Sequence, residues 1–96
     1  MVIGEILKEK REEILRIAAR HGARDIRLFG SVARGKADRE SDVDFLVRFE
    51  PGTTLLDRAA LVRELESLLG CSVDVVSENG LRPRIKDRVL REAVPV

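Results

Sequence analysis

Apolar residues return at helical spacing at Ile3, Leu7, Ile14 and Ala18, in a segment otherwise rich in Glu, Lys and Arg. The pattern predicts one amphipathic helix, stopped by Gly22 after His21. The period then changes from helical to twofold. Asp25 to Phe29 alternates polar and apolar like a strand closed by Gly30, and Val43 to Phe49 alternates again. In the second run Val43, Phe45, Val47 and Phe49 share one face, while Asp44, Leu46 and Arg48 share the other. Pro51-Gly52 ends it. Thr54 with Asp57 three positions later reads as a capping box, and Leu61, Leu65 and Leu68 mark a second helix closed by Gly70. Ser72 to Ser77 is a third strand, with Val73 and Val75 on one side and Asp74 with Val76 on the other. After a turn at Asn79-Gly80, Pro83 opens a last helix expected to turn Ile85, Val89 and Leu90 inward.

The connection from Gly30 to Asp42 is short, so the first two strands can run antiparallel. A whole helix separates the second from the third, which makes that pair parallel. The expected fold is α+β with α/β character: a three-stranded mixed sheet, order 1-2-3, with helices packed on it. With 96 residues, 44% of them hydrophobic and 36% charged, there is room for a single domain, 1–96, with one core. The three aromatics are Phe29, Phe45 and Phe49, so aliphatic side chains must fill that core.

Eighteen basic and seventeen acidic residues leave a net charge of +1, which gives no general attraction for nucleic acid or an anionic membrane. A single cysteine, Cys71, excludes an internal disulfide, and no apolar run is long enough to span a bilayer; a cytoplasmic protein is expected. The absence of Gln and the single Asn, Asn79, fit a thermophilic source.

Residues 30–44, GSVARGKADRESDVD, carry the most chemistry. Gly30 lets backbone approach a ligand, and Ser31 offers an amide and a hydroxyl to a triphosphate. Ser31 to about Gly35 could form one helical turn with exposed amides, and Arg34 adds a forked cation. Asp42 and Asp44 stand two apart at the entry of a strand and share a face. Two carboxylates held together call for a cation. Asp74, on the neighbouring parallel strand, would bring a third acid to the same face, a set that two Mg²⁺ ions roughly 3.5–4 Å apart would neutralise. Such a pair supports in-line displacement at a phosphoryl group without a histidine base. His21 ends a helix, where a cationic side chain serves structure, and one Cys with one His cannot assemble a zinc site.

The run GSVARGKADRESDVDFLV, with VDVV and LRPRIKDRVLREAVPV after it, resembles the minimal nucleotidyltransferases, a branch of the DNA polymerase beta-like superfamily, over nearly the whole chain. That resemblance implies the nucleotidyltransferase fold, with Asp42 and Asp44 on metal, Asp74 completing the metal site and helping to activate the acceptor, and Gly30 with Ser31 holding the triphosphate. Arg34 and Gly35 match the ARG extension of this branch, which puts Arg34 near phosphate or acceptor. Two Mg²⁺ ions and ATP are the implied cofactor and substrate. Similar proteins pair with a helical HEPN toxin as its antitoxin, in some cases by transferring AMP to a tyrosine of the toxin. This chain has no Tyr, so it cannot modify one of its own.

The expected activity is therefore Mg²⁺-dependent transfer of a nucleoside monophosphate, AMP from ATP, to a hydroxyl of a partner protein, in a homo- or hetero-oligomer. The competing reading is a non-catalytic antitoxin that neutralises its HEPN-type ribonuclease by complex formation alone. Direct nucleic-acid binding through Arg82, Arg84, Lys86, Arg88 and Arg91 is disfavoured, because Asp87 and Glu92 interrupt the basic run and no aromatic residue lies there to stack on bases.

Overall fold

A computed structural model describes residues 3–30 and 42–96. In chain order they form α1 (Ile3–Glu9), α2 (Arg11–Arg20), β1 (Ala23–Phe29), β2 (Val43–Phe49), α3 (Leu55–Leu69), β3 (Val73–Ser77), a 3-10 turn (Glu78–Gly80), α4 (Pro83–Glu92) and β4 (Val94–Pro95). The sheet order is β3-β2-β1-β4, with β1 antiparallel to β2 and β2 parallel to β3. The expected mixed arrangement is present and gains a fourth strand. Val94 pairs with Leu28 and Pro95 with Arg27 at the sheet edge. Two residues carry no alternation to read, and an edge position tolerates the proline.

The segment expected as one helix is two. Lys10 leaves helical values at φ −102° and ψ 13°, and the chain bends there between α1 and α2. Leu7, Ile14 and Ala18 all reach the core across that bend. Strand β1 also begins earlier than its alternation suggests. Between Arg24 and Arg27 the register shifts, and Asp25 takes a positive φ of 50°. This bulge puts Ala23 and Ile26, three apart, on the same buried side, which strict alternation forbids.

One face of the sheet makes the core. Val43, Phe45 and Val47 of β2, Val73 and Val75 of β3, and Ile26 and Leu28 of β1 pack against Leu7, Ile14, Ala18, Leu61, Leu65 and Leu69 of the helices. Each of the Val, Leu, Ile and Phe side chains contributes roughly 1.5–3 kcal/mol by leaving water. The capping box at Thr54 forms as expected: the Thr54 hydroxyl accepts from the Asp57 amide at 3.1 Å, and Asp57 Oδ2 accepts from the Thr54 amide at 2.9 Å. His21, at the end of α2, contacts Glu64 of α3, which Arg20 also reaches at 3.3 Å, so this corner ties two helices together. The last helix departs from expectation. No residue of α4 is fully buried; Ile85 is 46% exposed, while Val89 and Leu90 are half-buried. Among the described residues no helix is long and apolar enough to cross a membrane.

Candidate active site at the head of the parallel strands

The face of the sheet opposite the core carries the candidate carboxylates of β2 and β3. Residues directly paired in a ladder point the same way, so the pairing Asp44↔Asp74 sets these two carboxylates side by side on adjacent strands. Phe29 pairs with Asp44 from the other side, which makes the row across the sheet Asp74, Asp44, Phe29. The head of β2 and β3 is fastened by two hydrogen bonds. Val43 N–H donates to the Ser72 carbonyl at 3.0 Å, and Val73 N–H donates to Glu66 Oε2 at 3.2 Å.

Asp42 lies just before β2 and is exposed, as is Asp74; Asp44 is half-buried. The charge of Asp42 is felt locally at Cys71. Burial pushes that thiol up from its ordinary value, and Asp42 and then Glu66 push it further, as negative neighbours disfavour a thiolate. The head of the sheet is therefore a region of negative potential. Among the described residues, however, no three His, Cys, Asp or Glu side chains are gathered closely enough to hold an ion. The expected convergence of three acids is not formed: Asp44 and Asp74 share register and face, while Asp42, just before β2, is not gathered with them into an ion site. The donor set still suits Mg²⁺, which takes oxygen ligands and shares its shell between one or two carboxylates and substrate phosphates.

Gly30 has φ +74°, and a Cβ added there would collide with Asp44 Oδ2. Its backbone thus runs directly beside the carboxylate. Ser31 and Arg34, the other two nucleotide-binding candidates, lie outside the described residues, as does the turn expected from Ser31 to Gly35. One cation went unremarked in the sequence, Arg27, although the strand alternation places it with Arg48 on the carboxylate face. Arg48 reaches Asp25 Oδ2 at 3.3 Å and Glu78 Oε2 at 3.6 Å. Leu46, also on this face, is only 1% exposed yet stands apart from the main core cluster.

Comparison with known proteins shows the family. The family model described as "Nucleotidyltransferase domain" matches residues 6–96. A candidate protein adenylyltransferase of Methanocaldococcus jannaschii is 43% identical over 90 residues, 94% of this chain and 97% of the relative. Protein adenylyltransferase MntA of Thermococcus cleftensis is 48% identical over 77 residues, 80% of this chain and 78% of the relative. A solved structure described as a candidate minimal nucleotidyltransferase superposes with a TM-score of 0.90 at 56% identity, covering 100% of this chain and 97% of that one. A toxin-antitoxin crystal structure with AMP-PNP shares the fold at a TM-score of 0.74 and 24% identity, over 88% of this chain and 69% of that one.

Proposed function

Because the chain belongs to the nucleotidyltransferase domain family, we propose that it transfers AMP from ATP to a hydroxyl group of a partner protein, releasing pyrophosphate. The observation that carries this reading is the side-by-side register of Asp44 and Asp74 next to the Gly30 turn. Relatives named as protein adenylyltransferases support the choice of a protein acceptor. The partner is a HEPN-type helical toxin for which this chain is the antitoxin, in keeping with the MntA name of one relative.

Each residue has a distinct task. Gly30 and Ser31 present backbone amides to the triphosphate, and Arg34 adds a cation to the same cradle. Asp42, Asp44 and Asp74 are the residues that would hold two Mg²⁺ ions, whose chemistry when bound is to lower the pKa of a coordinated hydroxyl and screen phosphate charge. Asp74, on the outer side of the row, takes the proton of the acceptor hydroxyl. The acceptor oxygen forms a bond to the α-phosphorus, the bond from that phosphorus to the bridging oxygen breaks, and its electron pair leaves with pyrophosphate.

The test is incubation of the protein with labelled ATP, Mg²⁺ and the cognate toxin. Label on the toxin, absent with Asp74→Asn, is the expected result; no label with both proteins folded overturns catalysis. Asp44→Asn separates transfer from neutralisation by binding alone. The transferase reading requires toxin inhibition to fail while the complex still forms, and survival of inhibition would assign the chain to the binding-only class.

A further inference from the structure

Arg27 is a half-buried guanidinium in the middle of β1. Its ladder partners are Leu46 on one side and Pro95 on the other, so it shares the face of Asp44 and lies diagonally one step from it. Arg48, on the same face, is taken up by Asp25 and Glu78. Arg24, on the same strand, pairs with Glu50 at 2.7 Å. Among the described residues no carboxylate lies within ion-pair distance of Arg27. A permanently charged group partly withdrawn from water, on a face where its companions are paired, is set up for an anion from outside the chain.

The sheet order says which anion. Across the face the sequence of strands is β3 with Asp74, β2 with Asp44, then β1 with Arg27 and the Gly30 turn. In-line displacement puts the attacking and leaving oxygens on opposite sides of phosphorus. If Asp74 serves the acceptor hydroxyl, the α-phosphorus sits over Asp44, and the leaving group projects over β1. We infer that Arg27 binds the β- and γ-phosphates of the nucleotide and stabilises the pyrophosphate that leaves.

This inference rests on the transferase reading above and supplies its site with a cation on the leaving-group side. Charge makes the need plain. Three aspartates and a nucleoside triphosphate together carry more negative charge than two divalent ions cancel, so basic groups must supply the rest. A guanidinium suits the task because its fork matches two phosphate oxygens at once. The diagonal separation between cross-strand neighbours, on the order of 7–8 Å, leaves room for a phosphate between Arg27 and Asp44.

The experiment compares wild type, R27K and R27Q by calorimetric titration with ATP, pyrophosphate and AMP in the presence of Mg²⁺, with thermal midpoints measured in parallel. R27Q is expected to weaken ATP and pyrophosphate by about ten- to hundredfold, the loss of a charged hydrogen bond, with AMP unchanged. R27K should recover part of the difference because it keeps the charge. Unchanged pyrophosphate affinity in R27Q overturns the inference, as does equal weakening of AMP, which would mark Arg27 as serving the nucleoside or the fold. Wild type that binds neither ATP nor pyrophosphate overturns the transferase reading itself, and the inference with it. Wild-type binding that R27Q leaves untouched overturns the inference alone.

Discussion

Gly30→Ala is the sharpest perturbation of this site, because it adds one carbon and changes no charge. Two effects follow from the structure. First, φ at Gly30 is +74°, in the left-handed region, where a side chain costs about 1–2 kcal/mol. In a domain of this size each kcal/mol moves the thermal midpoint by roughly 4–8 °C. Second, the added Cβ meets Asp44 Oδ2, so the carboxylate or the turn must move. Gly70 supplies the control. It has nearly the same backbone, φ +70°, but nothing lies within 4 Å of its would-be Cβ. Both alanine variants should therefore lose similar stability, while only G30A displaces Asp44, the group that the proposed function sets at the reacting phosphate.

A misplacement of about 1 Å at a reacting centre costs on the order of a hundredfold in rate. G30A should fall by that factor in AMP transfer to the partner, measured at a temperature where both variants are fully folded, and G70A should match wild type. The combined readout is a melting curve and a labelled-ATP time course for each protein. If G30A transfers as fast as G70A at equal folded fraction, Asp44 tolerates displacement, and the assignment of the Asp44–Gly30 contact to the catalytic site is wrong.

Further outcomes follow from single residues elsewhere. Leu65 is fully buried beneath the sheet, and Leu65→Ala should remove about 2–5 kcal/mol, read as a lower urea midpoint at unchanged slope; an unmoved midpoint would contradict the described packing. The amide of Thr54, and then its hydroxyl, hold the Asp57 carboxyl below its ordinary value of 3.8. A depressed folded-state pKa stabilises the fold above the unfolded value, and this contribution is lost as pH falls from about there through the lowered folded value. Asp57→Asn should thus flatten the acid side of the stability profile, and an identical acid slope in wild type and variant would refute the role of the cap. The Cys71 thiol is pushed up by burial first and by Asp42 next, so Asp42→Asn should raise its thiolate fraction and speed alkylation at mildly alkaline pH. Equal alkylation rates would show that the charge of Asp42 does not act on Cys71.

How much of this was readable in advance divides along a physical line. A twofold period assigns faces without knowledge of partners, which is why Asp44 and Asp74 could be put on one side of β2 and β3 and Val43, Val47, Val73 and Val75 on the other. The helix α3 between them made the strands parallel neighbours. The vertical alignment Asp44↔Asp74 needed coordinates, since alternation is equally satisfied by a slip of two residues. Features set by distant partners left no local trace. The bulge at Asp25 has no glycine to announce it. The isolation of Arg27 depends on Arg48 being engaged by Asp25 and Glu78, residues far apart in sequence. Amphipathicity in α4 revealed an apolar face, but not whether this chain would bury it, and Ile85 stays largely in water.

The two faces of the sheet also explain why such a small domain can carry crowded acids. Val43, Phe45 and Val47 turn into the core, fully buried, while Asp44 points the other way from between two of them. The energy that holds β2 in place is generated on one side, and the repulsion among Asp42, Asp44 and Asp74 is spent on the other. Asp42 and Asp74 remain exposed, so water and salt screen that repulsion. Fold and chemistry are thus coupled only through the backbone of β2 and β3, fastened at its head by the Val43–Ser72 and Val73–Glu66 hydrogen bonds. Removing one of the exposed carboxylates should leave the folded state intact, whereas loosening that head would scatter the carboxylates without removing any of them.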